Sequence, residues 1–329
     1  MSRKTRFLLA PIGLVIIIGL IITGLWATER LPSGFREWLY LRAANISNGS
    51  QREPAEFDFI VAGHLYGSPS IHDQMPAGLF LEHLPELITA KPDFMVSLGD
   101  MVFQKSELDF NNLAQSFLEK IPFPVYNTPG NHDVANNRAL YESYFGKETY
   151  FGKEYGSAHL IFLDTEVVEC GLGEAQSEML QQEIDKAVAD RGTRYIFVFM
   201  HKTLVFQNSE MKSQKNKQAM PNVWDCQKKD GANPLMEDIF KPAARHKPVY
   251  IFAGDVGAWG NLSPYYQRDP WLPLTLVMTG LGDTSQDNVI RVHVSADSVK
   301  MDALFLDDMH SARLQTYDTK HWLNIARGQ

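Results

Sequence analysis

The stretch Pro129-Gly130-Asn131-His132-Asp133 closes an apolar run over residues 121–126. A buried strand that runs into a glycine, then an amide, an imidazole and a carboxylate, sets three polar groups at its C-terminal edge. Open α/β sheets bind their ligands at that edge. Taken alone, the same residues also suit an ordinary turn, since Asn, Asp and Gly favour turns. Four other apolar runs share the arrangement. Residues 57–62 lead into Gly63-His64, 93–98 into Gly99-Asp100, 195–200 into His201, and 248–253 into Gly254-Asp255. Five strands that each end in a metal-competent residue favour one shared site over five separate turns.

At 329 residues the chain suits one large α/β domain with a small appendage, and 44% hydrophobic residues indicate a full core. The net charge of -8 is unevenly spread. Residues 1–50 hold six Lys/Arg against two acids, leaving 25 bases against 37 acids beyond them. An acidic body disfavours a long polyanion, which needs many phosphate contacts, so nucleic acid is excluded as a partner.

Arg3, Lys4 and Arg6 precede an uncharged, largely apolar stretch over residues 7–27. At ~1.5 Å per residue it is long enough to cross ~30 Å of hydrocarbon. A cleaved signal peptide would have a shorter apolar region and a small-x-small site, of which Leu25-Trp26-Ala27 supplies half. An uncleaved single-pass anchor is therefore expected. The basic tip puts the N-terminus in the cytoplasm and the body in the periplasm or outside the cell. Residues 1–28 are read as tip and anchor, 29–56 as a juxtamembrane linker and 57–329 as the folded domain. Cys170 and Cys226 lie in polar stretches, which favours pairing over core burial, although spacing alone supplies no geometry.

Within the domain, strands and helices alternate through residue 145, which predicts a parallel sheet. A helix over 76–90 should be kinked or split by Pro85. Further helices are expected over 107–119, 137–145 and 174–190, and a short one over 234–241 stopped by Pro242. Residues 150–165 read as an antiparallel hairpin. Residues 205–233 form a long, lysine-bearing polar loop, equally a solvated excursion or a lid that attracts anions. Strands over 274–278, 289–294 and 299–306 suggest a second sheet packed on the first. Tyr265-Tyr266 and Trp271 could line a cleft or pack in a loop.

In this order the strand ends resemble the calcineurin-like metallophosphoesterase family. Its pattern is Asp-x-His, Gly-Asp, Gly-Asn-His-Asp, a lone His after a strand, then Gly-His-x-His. The resemblance covers most of residues 57–306. It implies an α/β fold of two mixed β-sheets sandwiched between helices in four layers, here preceded by one transmembrane helix. The implied chemistry is phosphoester hydrolysis assisted by two cations. Carried over, Asp100 is the bridging carboxylate, Asn131 and His201 serve the second ion, and His64 serves the first. His132 is the imidazole that stabilises the transition state or protonates the leaving oxygen, with Asp133 orienting its neighbours.

The pattern breaks at three positions. Ala62 stands where the first Asp belongs, Asp255 replaces one His, and Gly257 falls where the first ion's last ligand should be. The first site keeps only His64 and Asp100, with His72 and Asp73 nearby in sequence. Asp100, Asn131, His201 and Asp255 still form an oxygen-rich set suited to one divalent Mn, Fe or Mg ion. Two functions follow. One is a membrane-anchored phosphoesterase acting on a phosphate monoester or diester, a small molecule or an envelope component, outside the cytoplasm. The other is an inactive pseudo-phosphoesterase that binds a ligand or partner. Loss of first-site ligands favours the second, and retention of His132 favours the first.

Overall fold

Phe57–Ala62 (β1) alternates so that Phe57, Phe59 and Val61 face one apolar layer, while Ile60 is buried on the other side. Around it the computed structural model describes residues 56–71, 74–169, 171–206, 208, 210, 233–256 and 264–327. The basic tip and apolar anchor, the linker up to residue 55, Cys170, Cys226, His72, Asp73, Gly257 and most of the lysine-bearing loop lie outside the described residues. Among the described residues no helix is long and apolar enough to cross a membrane.

β1 runs parallel to Phe94–Ser97 (β2), which runs parallel to Val125–Asn127 (β3). Between β1 and β2, Gly78–Glu82 (α1) and Leu84–Thr89 (α2) are two helices rather than one. Pro85 sits in the first turn of α2, where its missing N–H costs nothing. Glu107–Leu113 (α3) begins at Ser106, whose hydroxyl accepts from Asp109 N, and widens into a π-helical segment over Ala114–Leu118. After β3 come Asn131–Val134 (α4) and Arg138–Phe145 (α5).

The second sheet starts with the expected hairpin, Phe151–Tyr155 (β4) against Ala158–Phe162 (β5). Glu174–Ala189 (α6) then leads to Tyr195–Met200 (β6), which is parallel to β5. A π-helical segment over Leu235–Phe240 passes directly into Lys241–Ala244 (α7). Pro242 therefore does not stop the helix. It occupies the first turn of a fresh α segment, where no N–H is required of it. Val249–Ala253 (β7), Tyr265–Arg268 (β8) and Leu274–Met278 (β9) complete the sheet in the order β4-β5-β6-β7-β9-β8.

The late strands do not form a sheet of their own. β9 extends the second sheet beside β7, whereas Asn288–Val294 (β10) returns antiparallel to β1. Val299–Phe305 (β11) and Ser311–Arg313 (β12) follow it outward, giving β12-β11-β10-β1-β2-β3. The open edge of β1 had N–H and C=O groups to satisfy, and β10 supplies five paired residues. Periodicity finds such strands but not the edge they choose. Thr319–Arg327 (α8) closes the described chain, with Trp322 buried and its indole N–H donating to Pro264 O.

Between the sheets lies an aromatic core. Phe59 stacks on Phe94 at 4.9 Å and meets Phe197 edge-on at 5.3 Å, while Phe162 stacks on Phe199 at 5.0 Å. A second apolar layer lies on the outer face of the β4–β8 sheet, beneath α6, α7 and α8. Tyr265 belongs to that outer layer and Tyr266 to the layer between the sheets, so neither lines a cleft. The parallel strands of both sheets carry their C-terminal ends to one junction.

Candidate metal centre

Five strand ends meet at that junction. His64, Asp100 and Asn131 come from the first sheet through β1, β2 and β3, and His201 and Asp255 come from the second through β6 and β7. The close approach restricts the backbone. Gly99 has φ 87°, and a Cβ there would lie 2.6 Å from Gly130 N and 2.8 Å from His201 Nδ1. His64 and Asp100 both adopt φ 54°, a left-handed conformation uncommon outside glycine.

Asp133 holds the junction from below. One of its oxygens accepts from Asp100 N and Gly130 N, each at 2.8 Å, and the other from Met101 N at 2.8 Å and Val102 N at 3.2 Å. This buried carboxylate thus fixes the backbone that aims Asp100, without itself reaching the site opening. Burial and the Asp100 charge push it up to about 7, opposed by the N–H of Gly130 and Met101.

His201 is fully buried, and its Nδ1 lies 2.8 Å from Leu98 O. A carbonyl only accepts, so Nδ1 carries the proton and Nε2 faces the other ligands. That Nε2 is 3.1 Å from Asn131 Oδ1, 3.4 Å from Asp100 Oδ1 and 3.7 Å from Asp255 Oδ1. Asp100, His201 and Asp255 offer ligand atoms all within 4.8 Å of one another. Burial works to lower the His201 imidazole, but Asp100, Asp255 and Glu166 hold it up at about 9. Burial raises Asp255 to about 7 against the pull of His201. Burial opposes ionisation of Asp100 too, yet His201, His64 and His132 keep it below the usual range.

The donor set fits a cation. Asp255 Oδ2 is buried with no hydrogen-bond partner, a costly state for a carboxylate oxygen. Two carboxylates, an amide oxygen and an imidazole with its Nε2 turned inward can hold one divalent ion, whose identity the oxygen-rich set leaves among Mn, Fe and Mg.

The first-site residues fare differently. His64 Nε2 lies 3.5 Å from Asp100 Oδ2, and burial lowers its imidazole to about 4, keeping it neutral. Ala62 offers no ligand. Next to His64 the structure places Tyr66, which no motif in the sequence marks. Its ring centroid is 4.2 Å from that of His64 and 4.9 Å from that of His132. Burial and the charges of Asp100, Asp255 and Asp133 push the phenol well above its ordinary value, so it stays protonated.

His132 stands at the edge of the group, half-buried. Its backbone N–H donates to Asp100 Oδ1 at 2.9 Å, and its Nδ1 lies 3.0 Å from Phe103 O. The proton therefore sits on Nδ1 in the neutral ring, and Nε2 is left to face a substrate. A second unforeseen feature is the buried pair Lys202 Nζ–Glu166 Oε2 at 2.6 Å, directly after His201. It joins β6 to the end of β5, and only the fold could bring those two residues together.

Comparison with known proteins bears on the fold that carries this site. Residues 71–233 match the family model for calcineurin-like phosphoesterases. No curated protein sequence matches the chain. Among solved structures, purple acid phosphatase PPD1 from yellow lupin is similar with a TM-score of 0.58 and 11% identity, over 80% of this chain and 54% of that one. GAP50, the anchor in the inner membrane complex of Plasmodium, gives 0.54 and 12%, over 79% and 89% of the two chains. A dimetal phosphatase from Danio rerio gives 0.50 and 12%, over 80% and 100%. Identities this low speak to fold alone, whereas the family match supports a phosphoester hydrolase. Over residues 71–233 the chain is therefore similar to calcineurin-like phosphoesterases.

Proposed function

We propose that the chain is a membrane-anchored phosphoesterase that works with one divalent cation outside the cytoplasm, on a phosphate monoester or diester. One observation carries the catalytic half of this reading. Asp100, His201 and Asp255 converge within 4.8 Å, with Asn131 Oδ1 3.1 Å from His201 Nε2. A bound cation would polarise the phosphoryl oxygens and make water more acidic. The protein's part is to aim its ligands and to handle the proton. In the doubly protonated form that the step requires, His132 would give its Nε2 proton to the leaving oxygen as that P–O bond breaks, while the water adding to phosphorus releases its own proton to solvent. The anchoring half is supported by the basic tip and the uncharged stretch over residues 7–27.

The test uses the full chain in detergent with Mn²⁺ and p-nitrophenyl phosphate or bis(p-nitrophenyl) phosphate. Metal-dependent turnover is expected, lost in His201→Ala and Asp100→Ala. Turnover no greater than in those two variants would favour the second reading, a binding module that keeps the fold. Ala62 is the observation behind that alternative, since it removes a ligand that a two-ion centre needs.

A further inference from the structure

Beside His64, the ligand that the resemblance assigns to a first cation, this chain places an aromatic cluster. The Tyr66 ring lies against both His64 and His132, at 4.2 and 4.9 Å between centroids. Phe103 closes behind, 5.1 Å from Tyr66 and stacked on His132 at 5.3 Å. Tyr66 is 7% exposed as a residue, yet its hydroxyl is not among the buried polar atoms that lack a partner, so the packed ring leaves that oxygen open to solvent. A phenol whose ring is fixed by packing while its hydroxyl stays open can donate to a ligand at little cost in ordering. In the His132 ring, Nδ1 is engaged by Phe103 O, which leaves Nε2 as the nitrogen available to a ligand beside Tyr66.

We propose that Tyr66 is a phosphoryl-binding residue that substitutes for the missing first cation. Its hydroxyl donates a hydrogen bond to a non-bridging oxygen of the phosphate group, beside His132 and opposite the Asp100–His201–Asp255 cluster. The ligand class is a phosphate ester or phosphate itself, so the assignment rests on the reading of the site as a phosphoesterase centre. It explains how a chain with Ala62 still offers two donors to a phosphoryl group: a neutral phenol takes the place of a cation that His64 and Asp100 alone cannot hold. A hydrogen bond from a neutral donor to an anionic oxygen is stronger than one between two neutral groups.

Tyr66→Phe keeps the ring packing and removes one oxygen, so it separates binding from folding. The full chain in detergent is loaded with Mn²⁺, dialysed and assayed for metal content, thermal midpoint and orthophosphate affinity by calorimetry. Both chains are expected to hold one Mn²⁺ and to melt together, with orthophosphate bound about tenfold more weakly by the variant. Equal phosphate affinity in the two chains, including none in either, overturns the assignment. So do two Mn²⁺ ions in the unaltered chain. The outcome is separable from the hydrolase reading. Tyr66-dependent phosphate binding without turnover of aryl phosphates would sink only the latter, and turnover with Tyr66-independent phosphate binding would sink only the former.

Discussion

Replacing Asp133 by Asn should unfold the junction even though it changes neither size nor shape. Each carboxylate oxygen accepts two backbone N–H groups, from Asp100 and Gly130 on one side and from Met101 and Val102 on the other. An amide keeps one accepting oxygen and turns an NH₂ toward two donors. Two buried N–H groups then lose their partner, at roughly 1–3 kcal/mol each, so a loss of about 2–6 kcal/mol is expected. That is a large part of the ~5–15 kcal/mol that holds a domain folded. The assay is urea unfolding of the metal-free chain at pH 8, above the value of about 7 to which burial raises this carboxyl. With a slope of ~2 kcal/mol per molar, the midpoint should fall by about 1–3 M. A shift below ~0.5 M would refute the view that Asp133 is the bracket of the site rather than a group at its surface.

Three further outcomes follow from the same geometry. The metal-free chain should lose stability as pH rises from about 6.5 to about 9. Native His201 keeps its proton up to about 9, so its contribution is complete below the unfolded value near 6.5 and gone above 9, whereas that of Asp255, raised to about 7, is lost mostly at lower pH. A urea midpoint that rises over that range, or a fall that saturating Mn²⁺ leaves unchanged, would contradict the assignment of these groups as a proton-filled cation cradle. Phe59→Ala should cost about 3–5 kcal/mol, because Phe59 is 1% exposed and packs on Phe94 and Phe197 between the sheets; a denaturation midpoint within error of the unaltered chain would disprove it. His201→Ala should abolish Mn²⁺ retention after dialysis, whereas His64→Ala should leave it at one ion per chain. Metal analysis showing equal loss in both would put His64 back among the ligands.

Much of this site was legible in the sequence because its strands announce themselves. Runs such as 195–200 are apolar at every position, and a polar residue at their end can only lie at a sheet edge. The edge at which five ends meet follows from the motif order. What was not legible depends on contacts between residues distant in sequence. Tyr66 is an aromatic two residues past His64, and nothing local separates it from core filler. Lys202 and Glu166 are 36 positions apart and look like surface charges until β5 and β6 pair. The division of the late strands between two sheets was hidden for a similar reason: alternation in β10 reports a half-buried face, and the choice of β1 as its neighbour is made by the open edge of β1.

The two halves of the expected two-ion centre are physically separable, and this explains how one can be lost while the other stays in place. The retained ligands are tied to groups that the fold itself needs. Asp100 is aimed by a left-handed turn that Asp133 clamps, and His201 is fixed by its bond to Leu98 O, across the junction between the sheets. Asn131 starts the helix whose third residue is that same Asp133. Removing any of these disturbs the meeting of the two sheets. Position 62 has no such duty. Ala62 pairs with Ser97 through the backbone and is fully buried, so a small apolar side chain there leaves the strand intact and spares the cost of burying a carboxylate. A carboxylate buried at that position would be stable only with a cation beside it. Ala62→Asp should therefore destabilise the metal-free chain by more than ~1 kcal/mol, and Mn²⁺ should recover the loss only if a second ion enters. With the Tyr66 ring against His64, recovery is expected in Ala62→Asp/Tyr66→Ala and not in Ala62→Asp alone. Full recovery in the single variant, with two ions bound, would mean that the aromatic cluster yields to a cation and does not replace it.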